Sequence, residues 1–417
     1  MSEITTYEKT KDSGIEWIGS VPSHWRVHTL YQLVTQVKEK NSNLQEKNLL
    51  SLSYGKIKRK DIDSPDGLLP ASFDGYNIIE DGDIVLRLTD LQNDHTSLRV
   101  GLATERGIIT SAYTTLRPID TSNSKYLYYL LHAFDLKKGF YGMGSGVRQG
   151  LNYAEVKELR VVLPGQDEQN AIVRFLDNQC GQIDSIIEEA KSSIEEYKKW
   201  RASIIFEAVT KGLNPLAEMK DSHIDWIGLV PSHWKLSRIK NELDNLDYLR
   251  EPISAEKREN ILGLYDYYGA SGVIDKIDDY NVDDKVLLIG EDGANLRMRN
   301  LPLVYKAEGK FWVNNHAHIL KVHDENCYGF IAYLLEAGDY SVFITGSAQP
   351  KLSQFNLMRF PIVIPPLVEQ QEIEAYLDEK CSAIDALIRE KKSLLSELEI
   401  YKRSLILETV TGKRKVV

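Results

Sequence analysis

The chain has 417 residues, 61 acidic and 51 basic, and a formal net charge of −10 at pH 7. At roughly 100–200 residues per domain this is two to four folding units, and 42% hydrophobic with 27% charged residues describes globular protein rather than a disordered chain. The acidic total argues against whole-surface nucleic-acid binding but leaves room for a local basic groove; no apolar run reaches the about 18 residues of a membrane helix, the N-terminal MSEITTYEKTKDSG lacks a secretory apolar core, and three cysteines cannot build a disulfide framework, so a cytoplasmic location is expected.

In chain order, the first marked element is KDSGIEWIGSVPSHW at 11–25. NIIEDGDIVLRL (77–88) and GIITSAYTTLRPI (107–119) are rich in β-branched residues and broken by Gly and Asp, which predicts strands and turns. KYLYYLLHAF (125–134) repeats its apolar positions at three and four, which predicts a short helix. LPG (163–165) ends a strand, because proline cannot donate to a ladder. From 167 to 209 apolar or small residues recur at 172, 176, 180, 183, 187, 190, 194, 197, 204 and 208, missing a beat at Arg201. That is a coiled-coil seam on a helix roughly 65 Å long. KDSHIDWIGLVPSHW follows at 220–234, then strands in KVLLIGED (285–292) and KFWVNNHAHILKV (310–322), a helix in YGFIAYLLEAG (328–338), and IPP (364–366). A second long helix over 368–410 has its seam interrupted by Lys391 and Lys402.

The chain therefore repeats itself. At an offset of 209, Trp17, Pro22, His24 and Trp25 match Trp226, Pro231, His233 and Trp234. At an offset of 201, LPGQDEQ matches IPPLVEQ, Cys180 matches Cys381, Asp184 matches Asp385, and Thr210 matches Thr411, without a gap. The segments between these landmarks diverge. The linker between the first helix and the second block spans at most about 40 Å fully extended, too little to return along the first helix, so the second helix must run antiparallel to pair with it. The expected fold is α+β: two mixed α/β heads separated by a long antiparallel two-helix coiled coil with pseudo-twofold symmetry. The expected domains are 1–164, a first helix at 165–212, 213–365, and a second helix and tail at 366–417. The helical segments carry net charges of −3 and −4, leaving only −3 to everything else, so the heads are better placed than the total suggests to meet a polyanion.

The twin WIG-x-VP-x-HW blocks, the twin (L/I)P-x₄-Q helix starts and the divergent inserts resemble the specificity subunits of Type I restriction-modification systems, over nearly the whole chain. The resemblance implies that each head is a target recognition domain reading one half of a bipartite, asymmetric DNA sequence, and that the coiled coil sets the unread spacer. It also implies two methyltransferase (modification) subunits as partners, which bind S-adenosylmethionine and methylate adenine, and restriction/translocase subunits that can join with ATP and Mg. This chain is then a non-catalytic subunit with no cofactor of its own. Two heads on one rod combine their modest individual discrimination.

The repeated blocks offer Trp17, Pro22, Trp25, Trp226, Pro231 and Trp234 either to DNA or as an apolar clasp; the clasp is favoured, because base-reading residues should differ between copies. In the first head SYGKIKRK (53–60) supplies Lys56, Lys58 and Arg59, which can neutralise phosphates unless they only solvate a loop. LRLTDLQND (86–94) supplies Arg87, Thr89, Gln92 and Asn93, and GSGVRQG (144–150) supplies Arg148 and Gln149, side-chain types that read base edges. In the second head the candidates are Tyr268 in YDYYGASG, Asn295, Arg297 and Arg299 in GEDGANLRMRN, Asn315 and His316 in VNNHAH, and Gln349 and Lys351 in GSAQPK. Alternation puts His316 and His318 on one strand face, but nothing nearby completes a metal site. Cys180 and Cys381 are expected as apolar packing. GMGSG (142–146) has no strand leading into it to make a cofactor loop, and neither an NPPY-type methyltransferase motif nor a Walker A loop is present. The alternative readings are a protein-binding coiled-coil scaffold without DNA specificity, and an enzyme using the Gly144 loop.

Overall fold

The computed structural model describes residues 5–63, 70, 72–91, 98–143, 150–258 and 263–416. It divides into two compact units, Met1–Ala190 with Ser393–Val417, and Lys191–Lys392. The long helices Gln166–Lys211 and Leu367–Val410 each give one end to each unit.

In the first unit, a four-stranded antiparallel sheet runs in the order Val34–Gln36, Thr114–Pro118, Ile84–Leu86, Val100–Leu102. Ile84 and Leu86 point to one core while Val85 joins Leu50, Leu52, Ile79 and Ile109 in another. Both faces are covered, so the strand reads as a continuous apolar run rather than an alternation. Gly82, at φ +88, turns the chain between Asn77–Ile79 and Ile84–Leu86, which belong to different sheets. Helix Ser124–Leu136 is apolar on two sides for the same reason. Leu127, Leu131 and Phe134 pack on the sheet, while Tyr126, Tyr129 and Leu130 pack on Ile172, Leu176, Cys180 and Ile183 of the first long helix and Leu405, Ile406 and Val410 of the second. Tyr129 Oη donates to Asp177 Oδ1 at 2.8 Å. The two long helices run antiparallel here: Lys402 Nζ donates to Asp184 at 2.6 Å, and Tyr126 Oη reaches both Val162 O and Val410 O.

The block at 11–25 lies against the end of the second long helix. Trp25 and Pro22 are buried, Trp17 packs 5.2 Å from the Phe134 ring, and His24 Nε2 lies 2.8 Å from Glu168 Oε2 in the first turn of the first long helix. Arg26–Thr29 then pairs with Arg160–Leu163.

The second unit keeps this frame. Trp234 and Pro231 are buried, Trp226 stacks on Phe360 at 5.3 Å, and His233 Nε2 lies 2.8 Å from Glu369 Oε2. Lys235–Arg238 pairs with Pro361–Ile364, and Tyr333 Oη donates to Asp378 Oδ1 at 2.7 Å. Ile205, Ala208 and Val209 meet Ile373, Leu377 and Cys381 in one core. The insert is different: a mixed six-stranded sheet ordered Leu243–Asn245, Ala317–Val322, Val282–Gly290, Val304–Val313, Tyr265–Gly269, Gly272–Ile277. Its one parallel pairing joins Tyr265–Gly269 to Val304–Val313.

The three cysteines are free and buried, and burial pushes the Cys180 thiol up to about 11. Among the described residues no helix is long and apolar enough to cross a membrane, and no group of three or more His, Cys, Asp or Glu is arranged to hold a metal ion.

Candidate nucleic-acid interface

In the first unit Lys56, Lys58 and Arg59 lie not on a loop but on the second strand of the hairpin Leu50–Ser53/Lys56–Arg59. Its two-residue turn has Tyr54 at φ +48 and Gly55 at φ +76, the paired positive φ values that match strand twist. All three cations are exposed. Lys56 Nζ lies 4.0 Å from Asp184. Arg59 Nε donates to the Glu105 carboxylate at 2.8 and 2.9 Å, which holds that carboxyl below its ordinary range. Lys58 has no ion pair among the described residues.

Arg87 and Thr89 follow strand Ile84–Leu86, Arg87 half-buried and Thr89 exposed. Their loop is shaped by a residue whose role the sequence does not announce. Arg99, fully buried, donates Nη1 to Arg87 O at 3.1 Å and Thr89 O at 2.8 Å, Nη2 to Asp90 O at 3.2 Å, and Nε to Tyr141 Oη at 3.0 Å. A guanidinium with several donors in a fixed fork templates the three carbonyls of Arg87, Thr89 and Asp90. Its own N–H donates to Asp135 Oδ2 at 2.6 Å, and burial drives the Asp135 carboxyl up to about 6 against the pull of that hydrogen bond. Gln92, Asn93, Arg148 and Gln149 lie outside the described residues. The chain on either side of 144–149 nevertheless meets this loop, through Tyr141 on Arg99 and through Leu151 N–H on Leu88 O at 2.9 Å.

In the second unit three candidate loops converge on Glu291. Its N–H donates to His316 O at 2.8 Å, its carbonyl accepts from Leu352 N–H at 2.7 Å, and its buried carboxylate binds both Arg250 and, at 2.9 Å, Lys351. Burial pushes the Glu291 pKa up, but the hydrogen bonds from Lys351 and Arg250 outweigh it and leave the carboxyl below its ordinary value. His316 Nδ1 lies 2.8 Å from Asp292 Oδ2, and exposed Arg297 donates to Gly346 O at 3.1 Å. Lys351, His316, Asn315, Arg297 and Gln349 are exposed on these loops.

Other candidates serve the fold visibly. Asn295 closes its own loop, donating to Leu301 O and Pro302 O and accepting from Leu301 N–H. Arg299, at φ +52, donates to Glu336 O at 2.7 Å and Gly338 O at 3.0 Å. Tyr268 packs against Phe311, ring centres 5.5 Å apart. His316 and His318 do not share a strand face, because the strand begins only at Ala317. His318 is wholly buried between Asp247 Oδ2 at 2.6 Å and Leu352 O at 2.8 Å.

Residues 231–397 match the family described as Type I restriction modification DNA specificity domain. The chain is 33% identical over 146 residues to a putative type I restriction enzyme specificity subunit of Haemophilus influenzae, covering 35% of this chain and 36% of that protein. It is 30% identical over 119 residues to the putative MjaX specificity subunit of Methanocaldococcus jannaschii, covering 28% of this chain and 26% of that one. These matches span about a third and a quarter of the two relatives. A solved chain from a study of complex assembly and conformational transition of the type I R-M system shares the fold, with a TM-score of 0.67 at 14% identity over 94% of this chain and 98% of that one.

Proposed function

We propose, from the membership of residues 231–397 in the Type I restriction modification DNA specificity family, that the whole chain is the DNA sequence-specificity subunit of a Type I restriction-modification complex. The observation that carries the reading is one frame built twice around unlike loops. His24–Glu168 and His233–Glu369 are both 2.8 Å, and each unit holds its own buried block tryptophan. One frame holds a four-stranded sheet with the Arg87 loop, the other a six-stranded sheet with the Glu291 loops. A molecule that must read two unrelated half-sites needs this division: phosphate contacts position each head, and base-edge contacts select.

In this reading the chain is non-catalytic and takes no cofactor of its own; S-adenosylmethionine, ATP and Mg belong to its partners. Those partners are two modification subunits and, where present, two restriction/translocase subunits. Exposed apolar side chains support a duplicated docking surface. Trp200 is 53% exposed in one unit and Tyr401, its counterpart at the 201 offset, is 47% exposed in the other; Leu387 and Ile186 repeat the relationship at 39% and 45%.

Mapping modified adenines in cells that express the chain with its methyltransferase tests the proposal. The expected result is a split motif that disappears when the chain is deleted and changes in one half only when one head is exchanged. A methylation pattern indifferent to the chain, together with no salt-dependent DNA binding, rejects it in favour of a protein-binding scaffold.

A further inference from the structure

The second unit carries an open groove that none of the loops above uses. It runs between strand Lys235–Arg238, segment 339–343 and helix Gln354–Met358. One end is bounded by Trp226, Asp225 and Asp339 with Lys240; the other by Arg238, Phe355, Asn356 and Arg359, and this second end has no carboxylate among its lining residues. Arg238, Lys240 and Arg359 are all exposed, and none of their side chains has a hydrogen bond or ion pair among the described residues. Arg359 is held in place by a neutral neighbour: its guanidinium carbon sits 4.8 Å over the ring of Phe355, itself 65% exposed.

Three unpaired cations on one groove stand out in a chain of net charge −10, where the cations of the neighbouring loops, Lys351 and Arg250, are held by Glu291. They are not part of the repeated frame either. The positions equivalent to Arg238, Lys240 and Arg359 by the two offsets are Thr29, Tyr31 and Glu158. The packing of a head on the long helices therefore does not require them. The wall at Ser341, Val342 and Phe343 continues directly into the loop that carries Gln349 and Lys351. An anion lying along that loop extends naturally onto the groove.

We propose that Arg238, Lys240 and Arg359 form a phosphate-binding track for the DNA backbone beside the second half-site, with Phe355 fixing the Arg359 guanidinium and exposed Leu236 and Val342 flanking the sugars. The track rests on the proposed DNA-reading function and adds a sequence-independent contact present in one half of the molecule only. Contacts of this kind release counterions, and each lowers the logarithm of the binding constant by about 0.9 per decade of salt.

The test uses the full-length chain with its methyltransferase and a duplex containing the mapped target. Replacing all three residues (Arg238→Gln, Lys240→Gln, Arg359→Gln) is expected to make the salt dependence shallower by about 2–3 in slope, while the ranking of targets altered in either half-site stays as before. A control removes the same number of exposed charges from the long helices (Lys198→Gln, Lys199→Gln, Lys392→Gln) and is expected to leave the slope in place. An unchanged slope in the groove variant overturns the track, as does an equal loss in the control, which would make the effect one of total charge. Loss of binding to an acidic polypeptide such as polyglutamate, with the DNA slope intact, would also overturn it and assign the groove to an acidic protein segment. If the unaltered complex shows no salt-dependent affinity for DNA, the proposed function itself fails, a result distinct from all of these.

Discussion

Arg201 Nε lies 3.0 Å from Asp385 Oδ1 between the two long helices of one unit, and at the same offset of 201 Lys402 Nζ lies 2.6 Å from Asp184 Oδ1 in the other. The cations sit where the apolar seam misses a beat. Hydrophobic stripes alone tolerate sliding, whereas a charge pair in the seam fixes which residues face each other. The repeated pair thus specifies one antiparallel register in both units.

These pairs select the register more than they stabilise it. Arg201 and Asp385 remain 32% and 40% exposed, and Lys402 and Asp184 24% and 39%. Solvent at such exposure screens most of the attraction. Double-mutant cycles with alanine, read by denaturant unfolding, are expected to give coupling energies below about 1 kcal/mol at both sites. Coupling above about 2 kcal/mol at either would show that the seam depends on them energetically.

Glu291 makes the opposite prediction, because it is buried and ties three loops together. Glu291→Gln removes the charge that Arg250 and Lys351 share and leaves Arg250 with Asp247 alone, at 3.3 Å; removing one member of a buried pair such as Glu291–Arg250 costs about 3 kcal/mol. The variant is expected to lose discrimination among second half-site sequences while first half-site discrimination persists. Duplexes altered in one half at a time supply the measurement, and equal losses at both halves would contradict it. Since the folded-state pKa of Glu291 is lowered, its ionic contribution is present above the ordinary carboxylate range and fades as pH falls through the folded value.

Asp135 carries the reverse sign. Its pKa rises from 3.8 to about 6 on folding, with burial as the main cause, so the folded state binds this proton more tightly than the unfolded chain does. The group's contribution is most favourable below pH 4 and is lost as pH rises through about 6. Asp135→Asn keeps an oxygen for the Arg99 N–H and removes the buried charge. The expected outcome is a protein more stable than the unaltered one at pH 7.5 by on the order of 3 kcal/mol, read as a higher melting temperature, with the gap closing toward pH 4. A difference independent of pH would show that Asp135 does not titrate in this window.

The sequence made some of this legible and hid the rest for definable reasons. Repeats at two offsets and a seam at three-four spacing exposed the long helices, because those patterns are local. The strand in NIIEDGDIVLRL was legible as apolar chain, but its split at Gly82 between two sheets was not, since which sheet a strand joins depends on partners far away. His316 and His318 suggested one face until the strand was seen to start at Ala317. Glu291 and Arg99 escaped notice because nothing near them in sequence marks a charge that will be buried. Arg99 sits in an apolar stretch, and its carbonyl acceptors lie 9, 10 and 12 residues away, visible only once the chain has folded back.

The clasp at the end of the second long helix can be tested through glycine. Gly412 and Gly228 both have positive φ, +71 and +73, so an added Cβ strains either by about 1–2 kcal/mol. Their surroundings differ. A Cβ at Gly228 meets nothing within 4 Å, whereas at Gly412 it would lie 2.2 Å from Pro22 Cδ and 3.3 Å from Trp25 Cη2. Pro22 and Trp25 are buried and cannot swing aside, so overpacking adds about 1–3 kcal/mol. Gly412→Ala is therefore expected to destabilise clearly more than Gly228→Ala in parallel denaturant titrations. Equal midpoints would mean that the block at 11–25 does not grip the helix end, and that Trp25 is buried against something other than the turn at Gly412.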